Sequence, residues 1–216
     1  MPSFPCSRAF VNFQAWLDYY HVFMKQGKAP YLPLDALERT INAQSGHTHC
    51  LRDGSILLLS HYLGLRAKEL SGLVIGDVYD FSRRELKEVV SLRASITKGS
   101  KFREVFLVNT KARDSLLRYL LTERGLRHPD APLFLSQRGS RFSANTMQRL
   151  IAICYSRAGI DASSHSGRRS FATHLIQNGA DIYSVQLLLG HSSIATTEKY
   201  FTSSPERLKR MASLLA

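Results

Sequence analysis

The sequence has few cysteines and no long run of apolar residues. Its three cysteines, Cys6, Cys50 and Cys154, are odd in number and far apart, which favours reduced thiols over a disulfide framework. No stretch approaches the roughly 18 continuous apolar residues of a membrane-spanning helix. The start, MPSFPCSRAF, lacks the apolar segment and cleavage site of a secretory signal. We therefore expect a cytoplasmic protein with no membrane association.

Acidic residues are also scarce relative to basic ones. The 216 residues hold 29 Lys plus Arg against 17 Asp plus Glu, which gives a formal net charge of +12. Such an excess is typical of proteins that bind a polyanion, most often nucleic acid, although a generically basic protein is the alternative. No acidic pair indicates a two-metal centre, and HTHC at 47–50 lacks an orderly fourth zinc ligand. We predict no metal and no cofactor.

Apolar residues recur at three- and four-residue spacings through most of the chain, which predicts amphipathic helices. The pattern changes between Val74 and Val108, where VVSLRASI and REVFLV are rich in β-branched and apolar residues. Gly99-Ser100 between them fits a two-residue hairpin turn, with Lys98 and Lys101 facing each other across it. The prediction is a mainly α fold with a small antiparallel β-sheet (α+β), whose helices lie at 9–28, 34–44, 50–65, 110–124, 143–159, 168–179, 181–190 and 204–215.

Four separated stretches carry residues suited to phosphate chemistry. They are LGLRAKEL with Arg66, ITKGSK with Lys98, HSGRRSFATHL at 165–175, and LGHSSIATTEKYF at 189–201. In this order they resemble the tyrosine recombinase (phage integrase) family. The motifs of that family are an arginine in a G-[LM]-R-x-x-E-L box, a hairpin lysine, H-x-x-R, Leu-Gly-His, and a tyrosine nine residues after that histidine. The resemblance covers about Leu34 to Ala216.

The resemblance implies an enzyme that cleaves and rejoins DNA at specific sites through a covalent 3′-phosphotyrosyl intermediate. A tyrosine hydroxyl has a pKa near 10 and needs a base or nearby cations to attack phosphorus. Arginines match phosphate oxygens in pairs and stay charged, so they can stabilise the transition state without metal or ATP. The tyrosine recombinase catalytic-domain fold is the expected architecture.

The resemblance also assigns individual roles. The tyrosine is the nucleophile, the two arginines clamp the scissile phosphate, the lysine is the general acid, one histidine assists deprotonation of the tyrosine, and the other binds a non-bridging oxygen. In that order, these residues are Tyr200, Arg66 and Arg168, Lys98, His165, and His191. Each has a simpler alternative, such as a tyrosine that packs in a core or an exposed ion pair between residues 66 and 69.

Three further residues have supporting roles. Glu69 is expected to orient Arg66 or its helix without contacting DNA. Lys101 is the competitor of Lys98 as general acid, and we assign it a DNA-phosphate contact instead. Many relatives have leucine and histidine on either side of the second arginine, where this chain has Gly167 and Arg169. Glycine there is expected to loosen the helix start by up to about 1 kcal/mol, and Arg169 is a second candidate for a phosphate contact.

The expected partner is double-stranded DNA at specific recombination sites. The resemblance implies a homotetramer on two duplexes, assembled by exchange of the C-terminal helix at 204–215, and a monomer in isolation. It also implies a bacterial, nucleoid-associated protein of a mobile genetic element. Two-domain relatives have a core-binding domain before the catalytic domain. Here we predict a catalytic domain at 31–216, preceded at 1–30 by a helical extension that is a remnant of that domain or substitutes for it.

Two other functions fit parts of the sequence. SFATHLIQNGADIYSVQLLLGH resembles a helix–turn–helix with Gly179 at the turn, which would suit a DNA-binding regulator without catalysis. A type IB topoisomerase shares the tyrosine chemistry without pairing specific sites. A regulator needs no nucleophile, so the role of Tyr200 separates it from the recombinase.

Overall fold

A computed structural model of the chain describes residues 29–97, 102–200 and 213. Three predicted features fall wholly or almost wholly outside these residues: the aromatic helix at 9–28, the turn at 98–101 and the C-terminal helix at 204–215. The predicted domain boundary near residue 30 therefore stays a prediction. No helix in the described part of the chain is long and apolar enough to span a membrane.

Helices make up most of the described chain, as the apolar periodicity predicts. Three of them begin at a polar residue whose side chain accepts the backbone N–H three residues later: Asn109, Ser143 and Asp181, at 3.1, 3.1 and 2.9 Å. The helices are α1 (Leu34–Asn42), α2 (Cys50–Tyr62), α3 (Ala67–Gly72), α4 (Ile75–Val78), α5 (Thr110–Arg118), which continues as a π-helical turn over Tyr119–Arg124, α6 (Ala144–Arg157), α7 (Ser166–Gln177), α8 (Ile182–Leu189) and α9 (Ile194–Glu198).

Helix α2 is the central helix of the fold. Every residue from Arg52 to His61 is buried, so the helix predicted at 50–65 is enclosed by the rest of the fold. It packs against α1, α5, α6 and α7. Around it lies a large hydrophobic core that extends from α1 to α6. A smaller second cluster lies between α7 and α8 and consists of Ala172, Ile176, Val185 and Leu189.

Two short antiparallel hairpins form the β structure, so the predicted mainly α fold with a small antiparallel sheet is confirmed. Strand β1 (Tyr79–Asp80) pairs with β2 (Glu85–Leu86), and β3 (Val89–Leu92) pairs with β4 (Arg103–Phe106). In β4 the residues alternate: the first and third are buried and the second and fourth are exposed. This alternation turns the Arg103 side chain toward the interior.

The strand region differs from its prediction in two ways. Residues 75–78 form the short helix α4. The strand predicted through Ile96 ends at Leu92, because the chain turns at 93–97 and Thr97 Oγ1 donates to the Ala94 carbonyl at 3.1 Å. With Leu92 opposite Arg103, residues 93–102 connect the two strands.

Candidate active site

Arg66 lies between α2 and α3 and is held by Glu69. Its backbone N–H donates to Glu69 Oε2, and its Nη1 donates to Oε1, both at 2.8 Å. The Glu69 side chain is fully buried, whereas that of Arg66 remains 17% exposed. The alternative of an exposed ion pair is therefore wrong. A buried carboxylate fixes both the backbone and the guanidinium of Arg66, and the exposed part of the guanidinium can still reach a ligand.

Arg103 is a second cationic partner of Glu69. The spacing of the sequence motifs did not indicate this residue. From β4, its Nη2 lies 2.6 Å from Glu69 Oε2, and its Nη1 donates to the Leu188 carbonyl. Burial alone would raise the pKa of Glu69, but its contacts with Arg103 and Arg66 lower it, so the carboxylate is ionised at neutral pH. The available signal was the alternation in REVFLV, which places an arginine in the buried phase of a strand. Charged side chains are buried there only with a partner.

Arg168 reaches the same place from α7. Its Nη1 donates to the Gly64 carbonyl at 2.7 Å and its Nη2 to the Leu189 carbonyl, so it satisfies backbone groups beyond the end of α2 and at the end of α8. Gly167 allows this approach, because a Cβ there would lie 2.5 Å from Ser60 Oγ in α2. From the sequence, Gly167 was expected only to loosen the start of the helix. In the structure, glycine at this position allows the close contact between α7 and α2.

The three arginines surround a single carboxylate. Burial, followed by the neighbouring Arg66 and Arg103, lowers the pKa of Arg168 to about 9. Arginine nevertheless stays protonated at neutral pH. Burial is the larger cause of this shift, and the positive charges of Arg66 and Arg103, which Glu69 only partly offsets, add to it. Such a site is suited to an anion that presents several oxygens, as a phosphate does.

His191 and Tyr200 come from the segment that follows α8. The helix ends at Gly190, whose φ of +61° is left-handed. His191 Nδ1 lies 2.9 Å from Thr197 Oγ1 in α9, and the His191 ring stacks on that of Tyr200 with 6.1 Å between the ring centroids. Tyr200 is half-buried against the small α7–α8 cluster. It is a partly accessible side chain next to a histidine, unlike a tyrosine enclosed in a core.

Residues from three distant stretches converge here. Arg66, Arg103 and His191 line one open cleft with a volume of about 490 Å³. Arg168 lies close enough to Arg66, Glu69 and Tyr200 for each of them to influence its pKa. The structure thus brings together five residues that the sequence nominated: Arg66, Glu69, Arg168, His191 and Tyr200.

The remaining nominated residues are placed differently. Lys98 and Lys101 lie outside the described residues. His165 is exposed at the residue that precedes α7, three positions before Arg168. Arg169 is only 4% exposed, and its Nη1 donates to the Ala29 carbonyl at 2.5 Å. This buried placement argues against the predicted phosphate contact of Arg169, because the guanidinium is turned into the protein.

Two other histidines have local partners. His174 in α7 is half-buried, and its Nε2 lies 2.8 Å from the hydroxyl of Tyr31. His49 Nδ1 lies 2.9 Å from Glu123 Oε1. Within the described ranges, no three His, Cys, Asp or Glu side chains are grouped as metal ligands would be.

Comparison with known sequences gives a consistent result. Residues 30–207 match the model of the phage integrase family. The tyrosine recombinase XerC of Syntrophus aciditrophicus (strain SB) is 36% identical over 167 residues, which cover 73% of this chain and 51% of that protein. The tyrosine recombinase XerD of Bifidobacterium longum (strain NCC 2705) is 36% identical over 191 residues, with 82% and 59% covered. The chain spans about half the length of the curated relatives it matches.

Solved structures show the same fold. The crystal structure of XerA recombinase superposes with a TM-score of 0.68 at 30% identity and covers 88% of this chain and 64% of that one. XerH recombinase bound to its difH substrate gives 0.66 at 22% identity, with 99% and 67% covered. The catalytic domain of bacteriophage HP1 integrase gives 0.60 at 19% identity, with 86% and 95% covered. The last two likenesses concern the fold alone.

Proposed function

The chain belongs to the phage integrase family, and we propose that it is the catalytic part of a site-specific DNA recombinase. The observation that carries the proposal is a cleft lined by Arg66 and His191, with Tyr200 stacked on His191 and Arg168 close enough to Arg66 and Tyr200 to feel their charges. Double-stranded DNA is the proposed substrate. Its phosphate backbone suits both this cleft and the net charge of +12.

In the proposed mechanism, the scissile phosphate binds between the two arginines. Arg66 and Arg168 donate to its non-bridging oxygens and stabilise the additional charge of the phosphorane. Glu69 is too deeply buried to meet DNA, and it holds Arg66 in place. With Thr197 Oγ1 donating to His191 Nδ1, the imidazole carries its proton on Nε2, from which it can donate to a phosphate oxygen.

The bond changes centre on Tyr200. Its hydroxyl oxygen attacks phosphorus and forms the bond between tyrosine and the 3′ phosphate. The proton of the hydroxyl passes to His165. The bond from phosphorus to the 5′ oxygen breaks, and Lys98 protonates that oxygen as it leaves. Lys101 contacts a neighbouring DNA phosphate. Attack by a 5′ hydroxyl of the exchanged strand reverses these steps, so the phosphotyrosine conserves the energy of the original bond.

The proposal extends to assembly. Strand exchange between two duplexes requires four such sites, and we infer a homotetramer in which residues 204–215 are donated to a neighbouring subunit. Residues 1–30 are proposed to form a helical extension before the catalytic domain. The family model matches residues 30–207, which supports a catalytic domain that begins near residue 31.

Covalent trapping tests the proposal. The full chain is incubated, with a chelator present, with a library of randomised duplexes that carry nicks on either strand. A nick next to the cleavage site lets the small product diffuse away, so the covalent complex accumulates. Denaturing gels then separate adducts, and sequencing of the trapped DNA identifies the site. We expect a protease-sensitive adduct.

Two tyrosine variants complete the experiment. Tyr200→Phe should form no adduct, whereas Tyr79→Phe, which removes a hydroxyl in strand β1 that does not line the cleft, should form it normally. An adduct with Tyr200→Phe would refute the assigned nucleophile. Absence of any adduct with the unaltered chain, despite salt-sensitive binding to DNA, would contradict the recombinase and favour the regulator.

A further inference from the structure

The guanidinium of Arg103 joins three elements that carry the candidate site. It extends from β4, its Nη2 contacts Glu69 at 2.6 Å, and its Nη1 donates to the Leu188 carbonyl in the last turn of α8. Glu69 in turn holds Arg66 through its other oxygen, at 2.8 Å. One side chain thus connects the hairpin, the segment of Arg66 and the helix that leads to His191.

The contact between Arg103 and the end of α8 is unusually close. Gly190 is the residue directly before His191, and a Cβ on it would lie 2.6 Å from Arg103 Cδ. The turn at Gly190, which places His191, therefore packs against the aliphatic part of the Arg103 side chain. The Arg103 side chain is only 6% exposed, against 17% for that of Arg66, so a ligand in the cleft reaches Arg66 and His191 before it reaches most of Arg103.

We propose that Arg103 is a positioning residue for the cleavage reaction. It fixes Arg66 through the shared carboxylate of Glu69 and fixes the turn of His191 through Leu188. The inference rests on the proposed function, and it adds a residue that does not itself bind the scissile phosphate.

Charge gives Arg103 a second effect on the reaction. Glu69 has one negative charge between Arg66 and Arg103, and Arg168 lies next to all three. Removal of Arg103 would let Glu69 neutralise Arg66 alone, which weakens the positive potential at the phosphate. Removal would also leave Glu69 with one partner less in a buried place. Both effects reduce stabilisation of the phosphorane more than binding of DNA.

The test uses Arg103→Lys, which keeps the charge but cannot contact Glu69 and Leu188 as a fork does, and Arg103→Met, which keeps only the apolar stem. Single-turnover cleavage of the trapped site is measured at saturating protein, beside the Kd for the same DNA. We expect cleavage to fall about 10- to 100-fold in Arg103→Met, the loss typical when a residue that orients a metal ligand is removed, because Arg103 acts on Arg66 in the same indirect way. Arg103→Lys should lie between this variant and the unaltered chain, and Kd should change less than threefold in both.

A second substrate separates positioning from general damage. In it, the scissile linkage is a neutral methylphosphonate, which carries less charge for the arginines to stabilise. The loss caused by Arg103→Met should be several-fold smaller on this substrate than on the phosphodiester. A variant that is merely misfolded would lose the same factor on both.

Arg52→Lys is the matched control. Arg52 is also a buried arginine with a carboxylate partner, Asp53 at 2.8 Å, but it lies at the opposite end of α2, about 15 Å from that helix's C-terminus at a rise of 1.5 Å per residue. It should cleave as the unaltered chain does.

The possible failures differ from one another. If the unaltered chain forms an adduct and both Arg103 variants cleave at its rate, Arg103 has no positioning role. Equal losses on the two substrates, or an equal loss in Arg52→Lys, would also overturn the inference. No adduct from the unaltered chain would contradict the proposed function, and the inference would fall with it.

Discussion

The two halves of the candidate site are supported differently. The arginine half (Arg66, Glu69, Arg103 and Arg168) contains a fully buried carboxylate, two ion pairs and bonds to three backbone carbonyls. It adjoins α2 and the large core. The tyrosine half (His191 and Tyr200) adjoins the small cluster between α7 and α8, which has four fully buried apolar residues.

This difference matches what each half is proposed to do. Cations that stabilise a transition state are most effective when they already occupy their final positions, because no reorganisation is then needed during the reaction. A nucleophile must instead form a bond to phosphorus and later release it. Since apolar burial stabilises in proportion to area, the smaller cluster holds its half less strongly. We infer a rigid phosphate-binding half and a more lightly held nucleophile half.

The largest expected effect comes from the shared carboxylate of the arginine half. Glu69→Ala leaves the guanidiniums of Arg66 and Arg103 without their charged partner, one of them deeply buried, and should lower the free energy of unfolding by about 3–5 kcal/mol. Urea unfolding measures this directly. Cleavage of the trapped DNA should also be lost, because Arg66 is no longer oriented.

Asp53→Ala is the control for this effect. Asp53 is a buried carboxylate whose partner is Arg52, so its removal should also destabilise the protein strongly. It should leave cleavage by the folded fraction unchanged. A loss below about 1 kcal/mol for Glu69→Ala, typical of a surface ion pair, would mean that the arginine half is not rigid in the way described.

The next effect compares the two hydrophobic clusters with the same substitution. Leu116 in α5 and Leu189 in α8 are both fully buried. Leu116→Ala should cost about 2–5 kcal/mol, and Leu189→Ala should fall in the lower part of that range because the small cluster can collapse around the cavity. Cleavage should respond in the opposite order, since Leu189 supports the helix that leads to His191. Equal stability losses together with equal cleavage would remove the distinction between the halves.

Much of this organisation could be predicted from the sequence, because it depends on short-range patterns. The apolar periodicity that predicts helices at 50–65 and 143–159 is a local signal, and the structure has helices α2 and α6 there. Motif order nominated Arg66, Arg168, His191 and Tyr200, and the fold brings these four together. The spacing of residues predicts a site correctly when the direction of each side chain depends only on its position in its own helix or strand.

The errors arise where contacts between distant residues decide. The strand predicted through Ile96 turns after Leu92, and there Arg93 donates to the Gly72 carbonyl at 2.9 Å and to Asp77 at 3.1 Å. Arg169 was expected to contact DNA phosphate, but it is buried and its guanidinium donates to the carbonyl of residue 29. Arg103 was missed because its partners are 34 and 85 positions away along the chain. The periodicity of apolar residues carries no information about contacts between residues so far apart in the sequence.

A third prediction concerns the contact between α2 and α7, where the large core meets the helix that carries Arg168. Burial, together with the neighbouring His174, lowers the pKa of His61 to about 3. The unfolded chain binds a proton at His61 near pH 6.5, and the folded protein does not. The free energy of unfolding should therefore fall as the pH drops below 6.5, by about 1.4 kcal/mol per pH unit for this one proton.

His61→Phe removes this titration and should reduce the slope of stability against pH by one proton. Urea unfolding at several pH values between about 5 and 8 measures the slope. Burial also lowers the pKa of His174, so a smaller dependence of the same sign should persist in the variant. If the two slopes coincide, His61 does not resist protonation in the folded protein.

The smallest expected change in stability tests the junction between the halves. Gly190 and Gly159 both have positive φ, +61° and +68°, but a Cβ on Gly190 would meet Arg103, while a Cβ on Gly159 would meet nothing within 4 Å. Each substitution to alanine should cost about 1 kcal/mol for the backbone conformation alone. Only Gly190→Ala must also displace Arg103, so it should slow single-turnover cleavage while Gly159→Ala does not. If both variants cleave at the rate of the unaltered chain, the contact between Arg103 and the turn of His191 does not couple the two halves, and each half would act independently of the other.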